Sequence, residues 1–319
     1  MRFLRSFLLL LLVPLGAIAG TVSPLLSPAE LQGLLNRPEL RVIDIRDGKV
    51  PDGRSVYEAG HLPGALSAPY RLWRGPAENP GKLPSVEQLT KLLQGLGLHE
   101  DSHAVVVYAG ADATDFGAAA RAYWTLKVAG LRKLSILNGG VKAWQQAGLA
   151  LSTDPASVPP SAYVARIDEA LVATRDEVAA ALDAKSARLV DARPQAFYVG
   201  DTRHAAARIP GTIHGADNLD NARWFRPGSA AFVPVEEARR VAAEAGLEGP
   251  GPVVSFCNTG HWAATNWFAM SEVLGREQVS MYPESMVDWS RAGLPMQNVP
   301  GRLKQLWIDA QLWYAKTFN

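Results

Sequence analysis

The sequence predicts an α/β protein of two tandem domains, each a central, mainly parallel sheet flanked by helices. Three observations carry this. Short apolar runs rich in β-branched residues alternate with longer segments of helical periodicity. The runs are near-continuously apolar, as strands covered on both faces of a parallel sheet must be. The pattern is also written twice, in one consistent order, at offsets between 145 and 151 residues. A chain of 319 residues has room for two domains of ordinary size.

Residues 1–19 come first and read as a leader. Arg2 and Arg5 make a basic start, Phe7 to Ile18 is apolar, and Ala17-Ile18-Ala19 offers small residues for cleavage. A spanning helix needs about 20 apolar residues, and this run is shorter and carries Pro14 and Gly16. The expectation is export, to the periplasm in a Gram-negative cell, with no stable membrane span after cleavage. No cysteine lies near the cleavage site, so a lipid anchor there is excluded.

The first copy spans 25–152. Its strand Arg41-Val42-Ile43-Asp44-Ile45-Arg46 returns as Arg188-Leu189-Val190-Asp191-Ala192-Arg193. Gly60-His61-Leu62-Pro63-Gly64-Ala65 has its counterpart in Gly211-Thr212-Ile213-His214-Gly215-Ala216. Val105-Val106-Val107-Tyr108 matches Val253-Val254-Ser255-Phe256, and helices ending near Gly130 and Gly275 correspond. Residues 153–164, rich in proline and poor in apolar side chains, read as the linker. The second copy covers 165–299, and 300–319 have the spacing of a helix packed on a domain surface.

Composition narrows the function. The chain is 48% hydrophobic and 20% charged, which fits a globular protein and excludes disorder. Its 32 Lys plus Arg balance 31 Asp plus Glu, so no bulk field draws it to nucleic acid or an anionic membrane, although local patches stay open. One cysteine, Cys257, excludes an internal disulfide and a Cys-rich metal site.

Cys257 follows a predicted parallel strand and precedes Asn258-Thr259-Gly260-His261-Trp262, where a helix with core positions 263, 267, 270 and 274 begins. Open α/β sheets place their chemistry at such strand ends. A helix start presents unpaired N–H groups and partial positive charge, which favour an anion such as a thiolate. Gly260 lets the loop curl so that successive amides converge. The first copy has Ala109 in place of the thiol. Its stretch from Ala109 to Gly130 is 21 positions against 18 from Cys257 to Gly275, so that loop is longer and has no cysteine chemistry.

The repeated Asp-x-Arg strand, the Gly-His-Leu-Pro-Gly-Ala element, the Cys-x-x-Gly loop and the Trp-bearing helix together resemble the tandem rhodanese sulfurtransferases, over roughly residues 25–299. The resemblance implies a pair of rhodanese-like domains with one active cysteine, in the second. That cysteine would take a sulfane sulfur from thiosulfate or 3-mercaptopyruvate, hold it as a persulfide, and pass it to cyanide or a thiol. Loop amides would stabilise the persulfide, without metal or organic cofactor. A protein sulfur acceptor stays open.

The sequence also departs from the family. The loop lacks the basic residues common in thiosulfate enzymes, and Phe197-Tyr198 stand where members often carry an arginine. Arg203, His204 and Arg208 are nearby in sequence as substitute anion anchors, or as a solvated basic loop. Asp191 and Arg193 read as an internal ion pair. His261 and Trp262 either serve the sulfur site or pack on the other domain. A Cys-based phosphatase needs an arginine six positions on, where this chain has Ala263. A thiol peroxidase would want a second cysteine. Scattered histidines offer no zinc-ligand spacing. The alternative from another class is a binding module or persulfide carrier that loads once without turnover.

Overall fold

The structure, a computed structural model, describes residues 22–318, so the predicted leader lies outside the described residues. The first domain contains strands β1 (Leu25–Leu26), β2 (Leu40–Asp44), β3 (Leu66–Ser67), β4 (His103–Val107) and β5 (Lys133–Leu137). They form one parallel sheet in the order β1-β5-β4-β2-β3. Around it lie α1 (Pro28–Leu34), α2 (Val56–Ala59), α3 (Val86–Gly95), α4 (Ala113–Val128) and α5 (Gly140–Gln146). The sheet is covered on both faces. Ala104 and Val106 of β4 pack with Phe116 and Ala120 of α4, while Val105 and Val107 pack with Leu31 and Trp144.

The second domain repeats the plan. Helix α6 (Arg175–Ala184) leads into β6 (Arg188–Asp191), α7 (Gln195–Tyr198), β7 (Thr212–Ile213), β8 (Asp217–Asn218), α8 (Val235–Glu244) and β9 (Val253–Phe256). Then follow α9 (Trp262–Phe268), β10 (Val279–Met281), α10 (Ser285–Ala292), β11 (Met296–Gln297) and α11 (Arg302–Phe318). The main sheet is parallel, ordered β10-β9-β6-β8, and β7 pairs antiparallel with β11. Four helices begin with a reciprocal capping box: Ser27 with Glu30, Ser55 with Glu58, Ser85 with Gln88, and Thr174 with Glu177. Helix α9 is shorter than its apolar spacing suggests. It widens into a π turn over Ala269–Val273 before Gly275 takes a left-handed conformation.

The duplicated Asp-x-Arg has the same geometry in both copies. Arg46 folds back on Asp44 at 2.6 Å and donates to the Gly60 carbonyl at 2.6 Å. Arg193 folds back on Asp191 at 2.6 Å and donates to the Gly211 carbonyl at 2.8 Å. Each pair thus ties the end of a central strand to the following Gly-containing turn.

The two domains share one apolar core rather than meeting across a wet seam. Phe116 of α4 lies edge-on to Phe225 at 5.1 Å and to Phe268 at 5.6 Å, and Tyr123 meets Phe268 at 5.1 Å. The Tyr108 hydroxyl donates to the Ala230 carbonyl at 2.6 Å, and Lys127 pairs with Glu272 at 2.6 Å. A large apolar interface of this kind opposes hinge motion between domains. Among the described residues, no helix is long and apolar enough to cross a membrane.

Candidate active site

Strand β9 is buried throughout, and Cys257 at its C-terminal end is fully buried too. Every carbonyl of the following turn is drawn outward. The Cys257 and Asn258 carbonyls accept from Met286 N at 3.1 Å and Val287 N at 3.2 Å, the opening amides of α10. The Thr259 carbonyl accepts from Arg74 Nη2 at 3.1 Å, and the Gly260 carbonyl from Arg121 Nη1 at 3.3 Å. The Cys257 amide donates to Ser285 Oγ at 3.0 Å. The amides of residues 258–261 have no acceptor among the described residues. A turn held by its carbonyls leaves its N–H groups free to converge on an anion.

The cations that this loop lacks come from the first domain. Arg121, in α4, is fully buried and spans the interface, donating through Nη2 to the Gly81 carbonyl at 2.8 Å and stacking over Trp124 at 5.0 Å. Its Nε is buried without a hydrogen-bond partner. Burial pushes the guanidinium down to about 10, with Tyr70, Arg74 and Cys257 among the charged neighbours it feels. Arg74 binds Thr259 Oγ1 at 2.7 Å and lies over the Tyr70 ring. Sequence reading missed both arginines. A signal existed for Arg121, a lone charge inside the small apolar helical run Ala118–Ala122.

Gly260 is the pivot of the turn, at φ 68. A Cβ there would meet Arg121 Nη1 at 2.4 Å and the Pro283 carbonyl at 2.7 Å. Gly260→Ala therefore combines left-handed strain with a clash against backbone, and is expected to destabilise the fold by about 2 kcal/mol or more. Urea unfolding, with sulfur loading measured on the same samples, checks it.

His261 and Trp262 face the first domain. His261 Nε2 lies 2.7 Å from the Thr114 carbonyl, so that nitrogen carries the proton, and Nδ1 accepts from the Tyr70 hydroxyl at 2.7 Å. Burial, with Arg74 nearby, pushes His261 down to about 4. An unfolded histidine titrates near 6.5, so between that pH and 4 the unfolded chain binds more protons. The contribution of neutral His261 is fully present above this window and is lost as pH falls through it. His261→Gln should flatten the loss of thermal stability between neutral pH and about pH 4.5, as calorimetry would show. Trp262 Nε1 donates to Thr114 Oγ1 at 3.3 Å, and its ring meets Phe197 at 5.6 Å.

Asp191 and Arg193 are both buried, and Arg193 Nη1 donates to Asn258 Oδ1 at 3.3 Å, linking the strand-end ion pair to the loop. Thr212 Oγ1 adds a bond to Asp191 at 2.7 Å. The neighbouring basic residues lie elsewhere. Arg203 is held by Asp309 of α11 at 2.8 Å and by the carbonyls of His204, Ala205 and Ala207. Its charge is thus spent on anchoring the last helix. Arg208 is exposed, and its backbone amide bonds Ser290 Oγ. Half-buried His204 accepts from the Ala206 amide at 3.1 Å, and burial lowers it, with Arg74, Arg291 and Arg203 adding to the shift.

The equivalent turn of the first domain is occupied from within. After Ala109, the Gly110 and Ala111 amides donate to the Asp115 carboxylate at 2.7 and 2.9 Å. A built-in anion fills the place where the second loop has free amides. Among the described residues, no group of three or more His, Cys, Asp or Glu could hold a metal ion.

Comparison with known proteins agrees with this geometry. The rhodanese-like domain family matches residues 27–147 and 174–292. A Mycobacterium bovis protein provisionally named thiosulfate sulfurtransferase 1 is 32% identical over 262 residues, covering 78% of this chain and 90% of its own. The sulfur carrier protein TtuD of Thermus thermophilus is 29% identical over 286 residues, 85% of this chain and 95% of its own. Among solved structures, the 3-mercaptopyruvate sulfotransferase SseA of Escherichia coli superposes with a TM-score of 0.71 at 26% identity, over 83% of this chain and 99% of that one. Two family matches in tandem, the doubled parallel sheets and a strand-end turn with a single thiol all agree: the chain belongs to the rhodanese-like domain family.

Proposed function

We propose that the protein is a sulfurtransferase that carries a sulfane sulfur on Cys257. The observation that bears most weight is the turn itself, with its carbonyls tied outward, four amides left over, and a buried cation without a carboxylate partner. Such a site lacks an anion, and a terminal persulfide would supply one. The Cys257 thiolate attacks the outer sulfur of thiosulfate, forming a Cys–S–S⁻ persulfide as the S–S bond of the donor breaks and sulfite leaves with its electron pair. Cyanide or a thiolate then takes the terminal sulfur and returns the Cys257 thiolate. With 3-mercaptopyruvate as donor, pyruvate leaves and the thiol proton ends on its methyl group. Asn258, Thr259, Gly260 and His261 contribute the four amides of the cradle, and Trp262 opens the helix behind them. Arg121 and Arg74 are positioning residues that hold it open, and no cofactor enters either half-reaction.

Full burial of Cys257 bears on entry. The shared aromatic core resists separation of the domains, so access of a donor to the thiol calls for local displacement around the loop rather than domain opening. The absence of basic side chains from the loop itself favours a second reading, a carrier that loads once and hands its sulfur to a partner, and the relative named as a sulfur carrier adds to it. The leader makes export part of this proposal, which N-terminal sequencing of the mature protein tests.

Intact mass of the reduced protein after incubation with thiosulfate or 3-mercaptopyruvate is the test. The expected result is a gain of one sulfur, removed by cyanide and absent in Cys257→Ser. No gain from either donor, with Cys257 alkylatable, would overturn the reading. Repeated thiocyanate release at saturating donor marks an enzyme, and a single release marks the carrier.

A further inference from the structure

Helix α11 turns its apolar face outward. Leu303, Leu306, Trp307, Trp313, Tyr314 and Phe318 are between 58 and 85% exposed. They recur at helical spacing along one line, opposite Ile308, which is buried. The helix is fixed in this orientation. Asp309 pairs with Arg203 at 2.8 Å, Lys304 pairs with Asp201, and Gln305 donates to the Pro300 carbonyl at 2.8 Å. The aromatics touch one another, Tyr314 and Phe318 at 4.9 Å and Trp313 and Phe318 at 6.1 Å, without sinking into the protein.

We propose that this stripe docks the protein on an anionic phospholipid surface. Its exposed apolar area is on the order of 700 Å², above what a soluble monomer usually leaves uncovered. A second copy is the weaker occupant. A stable dimer buries about 800 Å² per partner, and two convex helical ridges in contact would cover only part of the stripe. A bilayer surface covers all of it. The residue types agree, since Trp and Tyr favour the headgroup region and Leu and Phe the acyl boundary. Charge agrees as well: Arg302 is exposed on the flank of the stripe at its first turn, and the helix carries three basic residues against one acidic residue, Asp309.

The test is flotation of the full chain with vesicles of phosphatidylcholine containing phosphatidylglycerol, against phosphatidylcholine alone. The protein should float with the anionic vesicles more than with the neutral ones, and its tryptophan emission should shift to shorter wavelength. The double variant Trp307→Ser, Trp313→Ser should bind at least about ten-fold more weakly. Its circular dichroism and its sulfur loading should be unchanged, because both side chains are exposed and neither belongs to the Cys257 loop or to the arginines that support it. Three results would overturn the proposal: a wild-type protein that stays in the aqueous fraction, a double variant that binds as tightly as wild type, or a wild-type dimer that the double variant converts to monomer.

Discussion

Asp191→Ala is expected to cost about 3–5 kcal/mol of folding stability, the largest effect of any single substitution considered. The reason is what it leaves behind. Arg193 gives up its carboxylate while its side chain is only 2% exposed, so a guanidinium stays buried with two acceptors, the Gly211 carbonyl and Asn258 Oδ1. Thr212 loses its acceptor as well. The matching change in the first domain supplies the control. Arg46 is 12% exposed and can turn toward water, so Asp44→Ala should be milder. Urea midpoints of the two variants, compared at equal slope, decide it. Equal losses would show that enclosure does not set the cost. Asp191→Ala should also slow sulfur loading, because the same arginine holds Asn258 at the start of the loop.

Arg121→Met should lower sulfur loading by about a hundred-fold and stability by about 2–4 kcal/mol. The guanidinium supports the Gly81 and Gly260 carbonyls, and among the described residues no other side chain bonds both. Without it the Gly260 peptide is free to rotate, and the amides no longer converge. The variant also removes a buried positive charge that Cys257 feels from behind the loop. Arg121→Lys separates these contributions. It returns the charge but not the planar fork, so it should recover loading more than stability. Single-turnover loading followed by mass, at saturating thiosulfate, is the measurement. A variant that unfolds reports only on stability, whereas Arg121→Lys with intact stability and wild-type loading would remove Arg121 from the positioning role. Arg74 is half-buried and shares Thr259 with Arg121, so Arg74→Ala should be the smaller loss.

These two sites show how differently the fold and the chemistry are written in the chain. The doubled parallel sheet was legible because its signals are local: apolar runs, their alternation with helical periodicity and a repeated Asp-x-Arg. Asp191 and Arg193 are two residues apart, so their pairing follows from strand geometry and could be read directly. The position of Cys257 at a strand end was legible for the same reason, as was the absence of a thiol at Ala109. Nearness in sequence misled at Arg203, whose charge goes to Asp309, 106 residues away.

The rest of the site belongs to contacts that no local pattern encodes. Arg74 reaches Thr259 across 185 residues, Arg121 reaches Gly260 across 139, and Tyr70 meets His261 across 191. Each joins the two domains, and each exists only because an aromatic core holds α4 against α9. The same packing buries the thiol, points the loop carbonyls outward and leaves the amides free. Pattern and periodicity determined the two domains, their order and the place of the single thiol at a strand end, because those depend on neighbours a few positions apart. The charge around that thiol, its burial and the outward face of α11 depend on how finished domains pack, and the tertiary structure alone decided them.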